Sequence, residues 1–541
     1  MKSSELFVRC LEAEGVEYIF GLPGEENIEF LNALSSSKIR FILTHDERWA
    51  AFMANAYGRL SGSPGVCLST LGPGASNLIT GVADALLDYS PMVAITGQVG
   101  LANMHKESHQ RIDILSVFRP ITKWNARIEI PETIPEITRK AFKTASLEKP
   151  GPTHIEFPED IAVIETEGVP LSRASMRYPE PAEDMLAKAV AMIKNAHMPL
   201  ILAGHGVIRG KAAGELKDFV SKTKIGVTTT FMGTGALPAD DECFVSTVGL
   251  QSKDYISCGF DKADLIIAIG YDPVEFSPRY WNKNGSKQII HIDFTPSEID
   301  IDYSALELLG DIKTTLSMIT ERVDFERDVS YYHRLKLYVD HALHFSTAGF
   351  PLKPLRIIND IRKALGRNDI LISDVGAHKI WIARFYPAFE ENTVLISNGF
   401  ASMGFAIPAA ISAKLLHPDK NIFAAVGDGG FLMSMSEINT AVRLGLNFVC
   451  LIFNDGGYGL IEWKEKLRYG REFFTRFANP DFVKLAESFG ARGYRVTAEN
   501  DLLPIIKEAL DQKRPAIIDC PVDYTENMKL TEKLGRLICP L

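Results

Sequence analysis

AAVGDGGFLMSMSEINTAVRLGLNFVCLIFNDGGYG, residues 424–459, is the stretch from which the rest of the chain can be read. Two apolar runs, 422–426 (IFAAV) and 448–453 (FVCLIF), read as buried strands, because unbroken β-branched and aromatic residues suit a strand covered on both faces. The residues between them predict a helix starting near Ser434, where Ser434-x-x-Glu437 fits a capping box and Ile438, Ala441 and Val442 form an apolar stripe. A strand–helix–strand unit of this length closes with its strands parallel and its crossover right-handed. Asp428 and Asp455 then stand just past the carboxyl ends of the two strands, where open α/β sheets bind ligands. Paired carboxylates suit Mg²⁺, which takes oxygen ligands and shares its shell with phosphates. The glycines at 427, 429, 430, 456, 457 and 459 let backbone come close to a diphosphate. Either turn alone is an ordinary tight turn. The pair is more specific, with 24 residues and a helix between GDG and Asn454.

The same alternation runs outward through the chain. Residues 16–20, 40–44, 65–69, 92–96 and 153–157 read as strands, several ending in Gly- or Pro-rich turns: GLPG (21–24), LGPG (71–74) and TGQVG (96–100). Further runs follow at 199–204, 225–231, 263–270 and 287–293, then at 369–376, 421–430, 447–455 and 514–523. A polar, proline-containing stretch at 166–184 reads as a linker, and a charged, aromatic stretch at 324–354 as a connector. The expected fold class is therefore α/β, with three doubly wound parallel-sheet domains spanning 1–165, 185–322 and 355–541. GHGVIRG (204–210) has the wrong glycine spacing for a dinucleotide fingerprint and reads as a tight turn.

The chain has 541 residues, enough for several buried cores, and a net charge of -10 with no long basic run, which argues against nucleic acid or an anionic membrane as partner. No stretch of about 18 apolar residues and no signal-peptide pattern occurs, so a cytoplasmic protein is expected. The seven cysteines form no CxxC pair and no metal-ligand spacing, and read as buried or free thiols.

The GDG-x₂₄-N-D pattern resembles the signature of the thiamine-diphosphate (ThDP) enzymes, which carry GDG, some two dozen residues, then NN. The resemblance implies Mg²⁺ on Asp428, Asp455 and the Gly457 carbonyl; with the register shifted by one, Asn454 takes the place of Asp455. It implies that Glu47, in ILTHDERWAAFMANAYGRLSG (42–62), favours the imino tautomer of the cofactor's pyrimidine and so generates its internal base. Read alone, Glu47 is an acid at a helix start. GLPG before it and TLGPGASNLITGVADA (70–85) after it follow the family's order. The resemblance covers essentially the whole chain and runs to the acetolactate synthases through SHQRIDI (108–114), FRPITKW (118–124), GPTHIEFPEDI (151–161) and SNGFASMGFAIPAAI (397–411). It implies Gln110 as a catalytic residue and Met403 as the apolar support of a bent cofactor. Cofactor contacts are implied for Gly24, Asn77, Gly376, Ala377, His378, Ser402, Gly427, Gly429, Gly430 and Tyr458 as well.

The three domains are then pyrimidine-binding, central and diphosphate-binding, and the implied active sites lie between subunits of a homodimer or homotetramer. The implied reaction decarboxylates pyruvate and joins the hydroxyethyl unit to a second 2-oxo acid, giving 2-acetolactate from two pyruvates. IGYDPVEFSPRYW (269–281) resembles the FAD-independent catabolic enzymes, so FAD is not expected. Lys464, next to Trp463, fills the place where biosynthetic relatives put a tryptophan that favours 2-oxobutanoate. The acceptor (pyruvate, 2-oxobutanoate or an aldehyde), a regulatory subunit, and a role in branched-chain amino acid or acetoin synthesis stay open. The alternatives are a non-ligating 2-oxo acid decarboxylase, resting on His105 and His109, an NAD-dependent dehydrogenase, resting only on GHGVIRG, and a non-catalytic sugar- or nucleotide-binding α/β protein.

Overall fold

The computed structural model describes residues 1–173, 176–249, 255–283 and 285–532. Its strands fall into three six-stranded sheets in which every pairing is parallel. The first comprises β1 (Tyr18–Gly21), β2 (Arg40–Leu43), β3 (Gly65–Ser69), β4 (Met92–Gln98), β5 (Trp124–Arg127) and β6 (Pro152–Pro158). The second comprises β7 (Pro199–Ala203), β8 (Val227–Thr230), β9 (Phe244–Val248), β10 (Leu265–Ile269), β11 (Gln288–Asp293) and β12 (Leu306–Leu309). The third comprises β13 (Ile370–Ser373), β14 (Val394–Ile396), β15 (Ile422–Gly427), β16 (Val449–Asn454), β17 (Arg492–Arg495) and β18 (Ala516–Pro521). The expected three α/β domains are present.

Strand order separates the three. The first sheet runs β2-β1-β3-β4-β6-β5 and the third β14-β13-β15-β16-β18-β17, the same order when each is counted from its own first strand. The middle sheet runs β12-β11-β10-β7-β8-β9, the order of a dinucleotide-binding fold. Central strands are buried along their whole length, as β3, β4 and β10 are, and each fully buried Ile, Leu or Val contributes about 1.5–3 kcal/mol. The helices Glu47–Ser61 and Ala406–Leu416 pack into one shared apolar core, which joins the first and third sheets within a single chain.

Several sequence expectations are corrected. Five strands went unread: β5, β9, β12, β14 and β17, all of them sheet edges. The helix after β15 begins at Asp428 rather than near Ser434, and a second helix, Glu437–Arg443, follows it. No capping box forms, because Glu437 turns to the first domain, where its carboxylate accepts from His45 N (2.8 Å), while the Ser434 hydroxyl bonds back to the Gly430 carbonyl (3.3 Å). The connector at 324–354 holds a helix of its own, Ser330–Ala342, which buries Tyr332, Leu335 and Val339. Cys258 is disulfide-bonded rather than free, a pairing that sequence spacing alone does not reveal; Cys539 lies outside the described residues. Cys10, Cys67, Cys243, Cys450 and Cys520 are free and buried. Among the described residues no helix is long and apolar enough to cross a membrane.

Candidate active site

At the carboxyl ends of β15 and β16 a cavity of about 310 Å³ opens. Gly376, Ala377, His378, Met403, Gly427, Asp428, Gly429, Asp455, Gly457 and Tyr458 all line it. Parallel pairing sets Gly427 beside Phe453, so the two carboxylates leave their strands side by side. Asp428 is buried at the start of its helix, where the helix dipole favours an anion. Its Oδ2 accepts from Gly456 N (2.7 Å), Gly457 N (3.2 Å) and Asn479 Nδ2 (2.8 Å), and its Oδ1 from Gly429 N (2.8 Å). Burial and the neighbouring Asp428 charge push the Asp455 carboxyl up to about 7, with Arg476 opposing. Two adjacent carboxyl groups in this state are what a divalent cation relieves.

Asn454 faces elsewhere. Its Nδ2 donates to Asp519 Oδ1 (2.8 Å), its Oδ1 accepts from Asn479 Nδ2 (2.9 Å), and it does not line the cavity. Among the described residues no three His, Cys, Asp or Glu side chains form a metal cluster. Two carboxylates with backbone oxygen would form an incomplete shell of the kind that Mg²⁺ shares with a diphosphate. The residues present fit both groups.

The rest of the cavity is shaped for an organic ligand. A Cβ on Gly429 would stand 2.7 Å from the Tyr458 ring and 3.3 Å from Met403 Cε, so only glycine leaves this gap open. His378 stacks on Phe453 with ring centroids 5.2 Å apart, its Nε2 lacks a hydrogen-bond partner, and burial lowers its pKa to about 3. It is a neutral imidazole. Gly430 and Ser402 lie outside the lining: Gly430 faces the Asp374 carboxylate, and the Ser402 hydroxyl bonds the Met403 carbonyl (3.4 Å).

The N-terminal candidates form a second cluster. Asp46 caps the helix that starts at Glu47, accepting from Arg48 N (2.8 Å), and Glu47 itself is buried. Asn77 Nδ2, from the helix Gly72–Leu87, donates to Glu47 Oε2 (3.0 Å). Gly24 N donates to Asn27 Oδ1 (2.9 Å), and Gly24 packs against Thr70. Gln110 is exposed, with a left-handed φ of 57°, and its carbonyl packs on Gly72, whose own φ is +45°. Glu47 does not line the cavity that holds Asp428 in the same chain.

Two contributors were missed in the sequence. Asn479 bridges Asp428 and Asn454 from a loop with no strand of its own, and only the Asn479-Pro480 turn pair marks it. Asp374, inside the quoted stretch 369–376 but assigned no role there, is fully buried and accepts from Val375, Gly404 and Phe405 N–H groups at 2.9–3.2 Å. In the middle sheet, the GHG stretch (204–206) and Gly270 meet backbone to backbone, Gly206 N donating to the Gly270 carbonyl (2.8 Å). These glycines serve close packing, but the expected tight turn does not form: Gly204 alone follows β7 before a short helix, His205–Arg209, begins.

Three family models match parts of the chain. The N-terminal TPP binding domain of thiamine pyrophosphate enzymes matches residues 1–117, the central domain residues 186–319, and the C-terminal TPP binding domain residues 374–520. Acetolactate synthase of Bacillus subtilis (strain 168) is 36% identical over 99% of this chain and 97% of its own length. Catabolic acetolactate synthase of Raoultella terrigena is 36% identical over 98% of this chain and 97% of its own. The acetolactate synthase large subunit of Corynebacterium glutamicum is 33% identical over 96% of this chain and 86% of its own.

Proposed function

This chain belongs to the thiamine pyrophosphate enzyme family, among the relatives of the acetolactate synthases, and from that premise we propose that it condenses two pyruvates to 2-acetolactate and CO₂ with ThDP and Mg²⁺. The observation that carries this reading is the cavity in which Asp428 and Asp455 lie side by side and Met403 stands opposite Gly429. When bound, ThDP supplies an acidic carbon that attacks a 2-oxo carbonyl and accepts the electrons released with CO₂. The chain's residues do the rest. Asp428, Asp455 and the Gly457 carbonyl hold Mg²⁺ against the diphosphate; the engagement of Asn454 by Asp519 and Asn479 supports Asp455 over Asn454. Glu47, oriented by Asn77, holds a proton at the pyrimidine ring, and Met403 and the cavity's apolar lining exclude water that would end the reaction as simple decarboxylation. Gln110 orients the acceptor's oxygen.

A composite site built by two copies is supported by the separation of the Glu47 cluster from the cavity within one chain. Independence from FAD is supported by the middle sheet, where the segments after β7 and β10 close on each other at the switch point a dinucleotide would use. The decarboxylase alternative rests on His105 and His109, which lie on the same exposed segment as Gln110. The test is an end-point assay of protein with ThDP, Mg²⁺ and pyruvate, without FAD. Acetolactate is the expected product; acetaldehyde alone would overturn the ligase reading, and no CO₂ would overturn pyruvate as donor.

A further inference from the structure

The loop at 397–404, between β14 and the helix Ala406–Leu416, carries Met403 and is tied at both ends to buried carboxylates. Asp88, at the C-terminal end of the helix Gly72–Leu87, accepts from Gly399 N (2.6 Å) and Asn398 N (3.2 Å). Asp84, one turn earlier, accepts from the Ser397 hydroxyl (2.6 Å) and from the Ser402 backbone. Asp374, from the end of β13, takes the N–H groups of Gly404 (2.9 Å) and Phe405 (3.2 Å). Two basic groups complete the set: Arg59 Nη1 donates to the Ile396 carbonyl (2.9 Å) and pairs with Asp88 (3.5 Å), while Lys379 Nζ donates to the Ser397 carbonyl (2.9 Å). The backbone held this way is otherwise unfavourable, since Ala401 has φ 56°.

We infer that Asp84 and Asp88 are positioning residues for the reaction: with Asp374 they clamp the loop 397–404 and so set Met403 against the cofactor cavity. Stability alone does not account for them. Asp84 and Asp88 are almost wholly buried, and burial raises both, Asp84 to about 8, while it lowers the pKa of Lys379 to about 8. Burying such groups costs free energy that an apolar cluster of the same shape would avoid. Asp84 also accepts from Asn55 Nδ2 (2.8 Å) on the helix Glu47–Ser61, but the backbone N–H groups that the two carboxyls bind lie outside any helix or sheet ladder, so those bonds secure the course of one loop. That the loop serves the cofactor rests on the functional reading above; that the carboxylates hold it does not.

The experiment uses the full chain as Asp88→Ala, with Ser397→Ala as a milder second variant that removes only the Asp84 hydroxyl bond. Amide exchange in the protein without cofactor is expected to speed up about tenfold or more across 398–405, including Gly404 and Phe405 at the far end, while the strands of the first sheet keep their protection. Calorimetry with ThDP and Mg²⁺ is expected to show affinity about tenfold weaker, and kcat about tenfold to hundredfold lower with KM for pyruvate within twofold. Asp88→Asn, which keeps one acceptor oxygen, should recover most of the loss. Unchanged exchange at 404–405 in both variants overturns the clamp. Faster exchange with cofactor affinity and kcat within twofold of wild type overturns its positioning role. Wild-type protein that fails to bind ThDP with Mg²⁺ overturns the functional reading and with it the positioning role, leaving the exchange result to decide the clamp itself.

Discussion

The first and last domains are one frame used twice, with the charges placed differently. Both sheets run 2-1-3-4-6-5 by local count. In the last domain the third and fourth strands end in Asp428 and Asp455, and the helix after the third begins with an acid. In the first domain the helix after the third strand has a proline in its first turn and no acid there. Its carboxylate, Glu47, follows the second strand instead, where the last domain has the Met403 loop. The middle domain has a third arrangement, and there the strand-end segments press on each other. Topology fixes where a ligand can sit; the residue just past each strand decides what happens to it.

The largest expected effect falls on the first domain. Glu47→Ala should lower turnover about 10²- to 10⁴-fold while ThDP and Mg²⁺ still bind, as read by steady-state rates beside calorimetry. A near-normal rate would strip the first domain of its part in the chemistry. Asp428→Ala should do the opposite, weakening ThDP affinity in the presence of Mg²⁺ by about a hundredfold. If Asp428→Ala left affinity unchanged, the division of labour between the two frames would collapse. Asn479→Leu should weaken the same affinity about tenfold, since it leaves Asp428 and Asn454 intact but removes the amide that joins them.

The smallest effect sharpens a subtler likeness. Each frame buries one imidazole against an aromatic ring: His154 on Phe118 at 4.2 Å, His378 on Phe453 at 5.2 Å. Burial lowers both to about 3. Between about pH 3 and the ordinary value near 6.5 the unfolded chain binds protons that the folded chain refuses, so stability falls as pH drops through that window. His154→Gln should reduce the slope by up to about 1.4 kcal/mol per pH unit, seen in unfolding midpoints at pH 4–6. An identical slope in variant and wild type would mean that His154 takes up its proton in the fold.

How much of this was legible depended on pairing. Central strands such as β10, and β16 up to Phe453, are buried and read as unbroken apolar runs. The five unread strands are edges, and β17, Arg-Gly-Tyr-Arg, shows why: with one partner and partial exposure it has no reason to be apolar. The site divided along the same line. Asp428 and Asp455 follow readable strands, so their meeting could be foreseen. Glu437 looked like a cap because its sequence neighbours allow one, and only the fold brings His45, 392 positions away, to claim it. Asn479, Asp374, Asp84 and Asp88 act through contacts set by packing between elements, which no local pattern encodes.

The separation of Glu47 from the cavity of its own chain has a genetic meaning. In the two-copy site proposed above, lesions at Glu47 and Asp428 would define two classes of allele, each inactive alone. In a cell carrying one gene of each class, a mixed dimer pairs the damaged pyrimidine side of one copy with the damaged diphosphate side of the other. Its second site is then built wholly from intact halves. Two null alleles are therefore expected to complement, and two alleles of the same class are not.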